Sequence, residues 1–270
     1  MAPSIVRECG RPIARPNLEN HIEKLIAQLL RLYFASGQVA PGMLERRVEG
    51  EPGGLLPVAS ADGTTRTIVI SFDKVKYQED GQHWKRLCEV AHALQAQHGF
   101  PAPGVSISAA SGFRLWLSLA APVPSAQVQH FLEGLRSSAF PDLAVAPDAA
   151  TRPVELPPCR DPASGRWAAF IHPGMGASFI DEPGLEMAPP PLAQAAFLEQ
   201  LESIGLDQFD AALAAMQPAP AAAVARPSPA ASAPPTHGDL LLRDATLEDI
   251  VRHLHALDIE PTFRHLIPGK

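Results

Sequence analysis

Two features are scarce in this chain of 270 residues, and each shortage excludes a class of protein. Its three cysteines, Cys9, Cys88 and Cys159, are far apart and odd in number. They indicate reduced thiols, and exclude a disulfide framework or a zinc knuckle. Basic residues are also few relative to acidic ones, and the formal net charge is −7. No global positive field attracts nucleic acid, so any phosphate binding must come from a local cluster.

Long apolar runs are missing as well. No uncharged apolar run is long enough to span a bilayer, so we expect no contact with a membrane. The first residues, MAPSIVRECGRP, contain no apolar segment of the kind found in a secretory signal peptide. From these two observations we expect a cytoplasmic protein. The hydrophobic content of 46% is sufficient for a substantial core.

The composition changes sharply near the C-terminal end. The segment Gln217–Pro235 consists mainly of alanine and proline and has little apolar surface to bury, which predicts a disordered linker. This divides the chain into a core over 1–216, the linker over 217–235 and a helical tail module over 236–270. The tail is too short to fold alone, and its predicted helix has an apolar stripe. We therefore expect it to pack on the core or on a partner such as a helicase. The stripe comprises Leu247, Ile250, Val251, Leu254 and Leu257.

Hydrophobic periodicity divides the core into two regions. Residues 17–60 contain the helix Asn17–Gly37, a loop over 38–54 and the first strand of a hairpin, Leu55–Ala59. Residues 61–200 form a palm-like region whose order from Thr65 is strand, helix, strand, strand, helix, typical of a split β-α-β arrangement in an α+β fold. The predicted elements are Thr65–Phe72, Asp80–His98 with Asp80 as its cap, Val105–Ala109, Phe113–Ala120, Pro124–Ser138 and, at the end of the core, Pro191–Met216.

The central hairpin, GVSISAASGFRLWLSLAAPVP over 104–124, carries the first candidate site. Side chains alternate along a strand, so one face of its second strand is wholly apolar. The other face presents Arg114, Trp116 and Ser118. Arg114 follows directly after a glycine turn, and in that position it is a candidate for binding an anion. The alternative is a surface arginine whose aliphatic stem lies beside Trp116.

Four segments in order resemble one known family. They are TIVISFDKVKYQEDGQHW (67–84), the helix to Gly99, SAASGFRLWLSLAAPVP (108–124) and VELPPCRDPASGRWAAFIHP (154–173). Together they resemble the archaeo-eukaryotic primase superfamily, and within it the primase-polymerase domains of bacterial mobile elements and conflict systems. The resemblance covers roughly residues 60–200. It implies a palm or RRM-like core with flanking helices, Mg²⁺ or Mn²⁺ as cofactor, and single-stranded DNA or a nucleotide as ligand.

The chain departs from this family at the residues that carry the chemistry. The family has two carboxylates at positions i and i+2 of one strand, which hold two catalytic metal ions. Here the corresponding face offers Ser71, Asp73 and Val75, so Asp73 is the one catalytic and metal-binding candidate. The family's hairpin histidine, which contacts nucleotide phosphates, is replaced by Arg114. The resemblance therefore implies the fold, and the residues favour a degenerate active site.

A second group of candidates follows from local basic character. Arg152, Arg160 and Arg166 lie in one stretch, and together with Arg114, Ser111 and Trp116 they predict a patch that binds nucleic acid or nucleotide, with the indole stacking on a base. The alternative is a set of scattered, solvated arginines. Three functions stay open: a degenerate binding protein acting in replication of a mobile element, an active DNA primase or polymerase with displaced metal ligands, and a scaffold that docks a replication partner through its tail.

Overall fold

A computed structural model describes residues 15–51, 54–75, 80–182 and 184–216. These residues form an α+β fold around one curled, antiparallel five-stranded sheet. Its strands are β1 (Thr64–Phe72), β2 (Gly104–Ile107), β3 (Phe113–Pro124), β4 (Cys159–Arg160) and β5 (Trp167–Phe170). The helices are α1 (Arg15–Tyr33), α2 (Pro41–Val48), α3 (Gln82–His98), α4 (Ser125–Ser138), a 3₁₀ helix (Pro173–Phe179), α5 (Pro191–Glu199) and α6 (Leu206–Met216). None of these helices is both long and apolar enough to cross a bilayer.

The strand order β1-β3-β2-β5-β4 confirms the predicted split β-α-β arrangement. Strand β3 lies between β1 and β2 and is antiparallel to both, so β1 and β2 run in the same direction and α3 connects them. The short β5 then pairs with the far edge of β2. The segment TRTIVISF forms β1 because its β-branched residues suit a pleated, half-buried surface.

Helices cover both faces of the sheet. Helices α3, α4 and α6 pack on one face, where Phe113, Leu115, Leu117 and Leu119 of β3 enter the larger core cluster. Helices α1, α2 and α5 pack on the other face and form a second cluster with Trp116. The alternation along β3 is therefore as predicted for its apolar face. The face that carries Arg114 is also largely buried, which the alternation alone does not predict.

The free edge of β5 is closed by a side chain. Strand β4 has two residues and pairs only with Trp167 and Ala168, so on the edge opposite β2 the backbone of Phe170 has no neighbouring strand. The buried Gln194 of α5 fills this place. Its amide nitrogen donates to the Phe170 carbonyl at 2.9 Å, and its amide oxygen accepts from the Phe170 N–H at 2.8 Å.

Several element predictions are wrong, for local physical reasons. Residues 38–54 contain α2, whose eight residues are too few for a clear periodic pattern. The predicted strand Leu55–Ala59 is reduced to two isolated bridges, Leu56 to Val154 and Ala59 to Thr65. Asp80 does not cap α3, because the capping residue is Gly81, whose positive φ of 78° suits a glycine.

The predicted helix Pro191–Met216 is interrupted. Its two parts, α5 and α6, are separated because Ile204 leaves the helical path and bridges β3 in parallel. The Ile204 N–H donates to the Ser118 carbonyl at 2.7 Å, and its carbonyl accepts from the Ala120 N–H at 2.8 Å. The predicted linker over 217–235 and tail over 236–270 lie outside the described residues.

Candidate functional site

The turn between β2 and β3 lies directly against the end of β1. Gly112 has a φ of +66°, and a Cβ atom built on it would lie 2.1 Å from the Phe72 carbonyl oxygen. Only glycine fits so close an approach in this conformation. Ser108 orders the other side of the turn, because its hydroxyl accepts from the N–H groups of Ala110 and Ser111. This contact brings the predicted residues Ser111 and Arg114 beside Asp73.

The resulting cluster is an ion pair supported by a hydroxyl. Arg114 Nη1 donates to Asp73 Oδ1 at 2.8 Å, and Ser111 Oγ donates to the same oxygen at 3.1 Å. Arg114 Nη1 also lies 3.0 Å from the Phe113 carbonyl oxygen, which fixes the guanidinium over its own strand. Ser71 lies opposite Arg114 in the neighbouring strand. The side chain of Arg114 is 18% exposed and that of Asp73 51%, so solvent reaches both partners.

Arg114 uses one of its three guanidinium nitrogens for all these contacts. Within the described part of the chain, Nε and Nη2 have no hydrogen-bond partner. A guanidinium has five N–H donors in a fork that suits an oxyanion, so Arg114 can hold Asp73 and a second anion at once. Chemically, the site can accept a phosphate oxygen on the unused edge of Arg114.

Trp116 does not belong to this surface, which corrects the prediction that it stacks on a base. Its side chain is 1% exposed, because α1 covers this face of the sheet. The indole Nε1 donates to Ser106 Oγ at 2.8 Å, and the ring packs against Tyr33 and Phe170. No face of the indole is accessible to a nucleotide. Trp116 is therefore a core residue.

The four arginines do not converge on one patch. Arg152 lines a cavity of about 350 Å³ along β1 together with Ser71 and Asp73, and it pairs with Asp148 at 2.9 Å. Arg160 lies on β4, three strand spacings or about 14 Å of sheet away from Arg114 on β3. Arg166 precedes β5 in the same distant region, within 4.0 Å of Glu186. The structure thus places Ser71, Asp73, Ser111, Arg114 and Arg152 near the end of β1, and separates them from Arg160 and Arg166.

The residues at this site do not fit a two-metal centre. The described residues contain no group of three or more histidine, cysteine, aspartate or glutamate side chains placed to hold a metal ion. Asp73 is already paired with the cation of Arg114, and Ser71 beside it is a neutral ligand. Two Mg²⁺ or Mn²⁺ ions need several anionic ligands, which the described residues around Asp73 do not supply.

His83 is a functional candidate that the sequence analysis missed. It lies on the buried face of α3, stacks on Phe113 with ring centroids 5.2 Å apart, and lines a cavity of about 200 Å³ that Ser71 and Asp73 also line. Its Nε2 atom is buried, with no hydrogen-bond partner among the described residues. Burial, followed by the positive charge of Lys74, lowers the pKa of His83, while Asp181 and Asp73 act in the opposite direction. No motif in the sequence points to it, because the periodic pattern of α3 consists of its apolar residues.

The lowered pKa of His83 makes folding stability depend on pH. The unfolded chain binds a proton at pH near 6.5 and the folded chain binds it only at lower pH, so stability present above about pH 6.5 is lost as the pH falls. We expect His83→Gln to reduce this loss, by about 1.4 kcal/mol per unit of pKa difference. Urea unfolding between pH 5 and 7.5 measures it. His92→Gln, at an exposed position of the same helix, is the control, and an unchanged pH dependence in His83→Gln would contradict the assignment.

The chain matches no model of a known protein family and no curated protein sequence.

Proposed function

We propose that the chain is a primase-polymerase-like protein that binds single-stranded nucleic acid or a nucleotide and does not catalyse nucleotidyl transfer. In this proposal the fold is a palm-like core of the primase superfamily, and the protein acts in replication of a mobile element. The ligand is held through its phosphates at the end of β1. Arg114 is the principal contact, with Ser71, Ser111 and Arg152 beside it.

The topology supports the family assignment. The segments quoted for the resemblance form β1, α3, the β2–β3 hairpin and the β4–β5 pair, and all of the strands belong to one sheet. Asp73 directly follows β1, at the place where the family has its metal-binding carboxylates. The position taken by the family's histidine is Arg114, in contact with Asp73. The position with a single carboxylate and the position with arginine in place of histidine, the two departures from the family, therefore lie beside each other.

The ion pair between Asp73 and Arg114 is the observation that carries the proposal. A guanidinium 2.8 Å from Asp73 supplies the positive charge that a metal ion would supply in an active enzyme. It cannot polarise an attacking hydroxyl as a divalent ion does, because it is a hydrogen-bond donor and has no open coordination position. It does retain donors for a phosphate. The arrangement favours binding over catalysis.

Nucleotide incorporation tests the proposal directly. The protein is incubated with labelled nucleotides on primed and unprimed single-stranded templates, with Mg²⁺ or Mn²⁺. We expect no primer synthesis or extension above background, because Asp73, already paired with Arg114, does not by itself hold two metal ions against their mutual repulsion. Incorporation that disappears in Asp73→Ala would overturn the proposal and establish an active primase. Incorporation that survives this change would indicate a contaminating polymerase, and is resolved by repeating the assay after further purification.

The separation of the arginines gives a second, sharper test. We expect Arg114→Ala to weaken binding of a labelled oligothymidylate about tenfold and to reduce the slope of log K against log salt by about 1. Arg160→Ala is the matched control, since it removes the same charge at the far edge of the sheet. Fluorescence anisotropy at several salt concentrations measures both. Equal losses in the two variants would show that binding depends on net charge, and no binding by the wild-type protein at low salt would remove nucleic acid from the proposal.

A further inference from the structure

Strand β1 forms an edge of the sheet, and its outer side leads to the cluster at Asp73. It pairs with β3 on one side, and no other strand of the sheet pairs with it. In an antiparallel ladder, alternate residues direct their N–H and carbonyl groups toward the partner strand and away from it. The direction of each residue of β1 therefore decides which backbone groups are presented at this edge.

A hydrogen bond on β3 fixes this direction. Strand β1 lies on one side of Ser118, so the hydrogen bond from the Ile204 N–H to the Ser118 carbonyl lies on the other side. Even-numbered residues of β3 near Ser118 therefore face away from β1, and odd-numbered residues face it. The partners of these odd-numbered residues on β1 are Ile68, Ile70 and Phe72. The residues between them, Val69 and Ser71, direct their N–H and carbonyl groups outward.

The free part of this edge is short. Within the described part of the chain, the outward N–H and carbonyl groups of Val69 and Ser71 have no hydrogen-bond partner. The preceding outward residue, Thr67, has both of its backbone groups bonded to the Thr65 hydroxyl. Strand β1 ends at Phe72. The edge therefore offers two donors and two acceptors over about 7 Å, too short for an added strand of ordinary length.

Val69 and Ser71 line the cavity of about 350 Å³ that also reaches Asp73. This volume is within the range of pockets that bind small organic molecules. The other residues of its lining are mainly apolar, and they are Ile70, Leu132, Ala144, Val145, Ala146, Ala149 and Val154. Such a cavity suits a flat ring, because the apolar walls cover its faces and the free backbone groups bind polar atoms on its edge.

The charges beside the cavity favour a phosphate on the same ligand. Asp73 lines the cavity and contacts Arg114, whose Nε and Nη2 atoms have no partner among the described residues. Arg152 lines the cavity directly. A nucleotide combines a phosphate with a flat ring, and the Watson–Crick edge of each base presents a donor beside an acceptor. A peptide of the same size has no such ring.

We propose that this cavity holds the base of the nucleotide whose phosphate contacts Arg114, and that the β1 backbone binds the Watson–Crick edge of that base. The Val69 carbonyl accepts from an N–H of the base, and the Ser71 N–H donates to the neighbouring acceptor. The inference rests on the proposed function and extends it. A base held by this edge cannot pair with a template, so the site selects unpaired nucleotides and does not serve template copying.

Three labelled oligonucleotides of equal length test whether the edge of the base is bound. The first is oligothymidylate, the second contains N3-methylthymine, and the third is abasic. The methyl group removes the N–H donor and obstructs the edge, but it leaves the ring faces and the phosphates in place. We expect the full-length protein to bind oligothymidylate at least about fivefold more tightly than either of the others. Fluorescence anisotropy at low salt measures the three affinities.

The outcomes separate this inference from the proposed function. Equal binding of the thymine and methylthymine strands would overturn the inference, and the phosphate-binding proposal would stand. Absence of binding by all three oligonucleotides would overturn both.

Filling the cavity is the second test. Ala144 lines the cavity and is exposed, so Ala144→Trp places a ring in the cavity without disturbing the core. We expect this variant to bind the thymine strand as weakly as the methylthymine strand. Ala196→Trp, at an exposed position of α5 outside the lining, is the matched control and should keep the wild-type preference. A preference retained in Ala144→Trp would contradict the inference. A dimer in sedimentation that Ala144→Trp abolishes would place a second copy at this edge, and would overturn it too.

Discussion

Asp73→Asn is expected to strengthen binding of single-stranded DNA, about three- to tenfold. In the wild-type protein the carboxylate accepts a hydrogen bond from Arg114 Nη1, and its negative charge offsets the attraction of the guanidinium for a phosphate on the unused edge. The amide keeps the shape and removes the charge, so the offset and the repulsion of the incoming phosphate both weaken. The expected gain corresponds to roughly 0.6–1.4 kcal/mol, near the upper range for a partly exposed ion pair. Anisotropy titration of a labelled oligothymidylate measures it.

The direction of this effect separates the two main hypotheses. In an active primase, removing a metal-binding aspartate abolishes activity and does not tighten binding through a guanidinium. The control is Asp210→Asn, which makes the same change in net charge at an exposed position of α6. Tighter binding in both variants would show that the effect depends only on the net charge of the protein. Weaker or unchanged binding in Asp73→Asn would contradict the role assigned to the ion pair.

Gly112→Ala is expected to have the largest effect on stability, a loss of more than about 3 kcal/mol. A non-glycine residue at positive φ costs about 1–2 kcal/mol in itself. In addition, the new Cβ would stand 2.1 Å from the Phe72 carbonyl oxygen, so the turn must move away from β1. That movement would separate Ser111 and Arg114 from Asp73, and DNA binding should change with stability. Urea unfolding measures the first effect and anisotropy the second.

Gly63→Ala is the matched control for this prediction. Gly63 has a similar φ of +79°, and a Cβ built there meets nothing within 4 Å. Its replacement should therefore cost only the conformational part, about 1–2 kcal/mol. Equal losses of stability in the two alanine variants would show that the close approach of the turn to β1 contributes little.

Much of the fold could be predicted because the pattern and the packing agree. The segment TRTIVISF forms β1, the hairpin turns at residues 108–112, and α4 buries Val128, Phe131, Leu132 and Leu135 as its spacing indicates. The pairing of Asp73 with Arg114 could also be predicted, since a Gly turn that follows β2 can bring Arg114 to the end of β1. Both are candidate site residues in the sequence, and the structure adds the direct contact between them.

Other features depend on contacts between segments far apart in the chain. Trp116 lies on a strand face that carries an arginine and a serine, a pattern typical of a solvated face, yet α1 covers it. Arg47 lies in a segment predicted as a loop, yet it is buried, and its guanidinium donates to the carbonyls of Leu156 and Gly54. Periodicity describes one element at a time. It contains no information on which second element covers a face, and for this reason the separation of Arg160 from Arg114 was not predicted.

The side chain of Gln194 has a consequence for how copies of this protein behave toward one another. A sheet edge with an unused N–H and carbonyl is a template on which a second molecule can add a strand, and such addition leads to aggregation. On β5 the carboxamide of Gln194 reproduces the pair of hydrogen bonds that a neighbouring strand would make with Phe170. No further strand can pair with this carboxamide, because it is a single side chain on a helix and not a backbone edge. A single residue thus occupies the two backbone groups of Phe170 with which a strand of a second copy would otherwise pair.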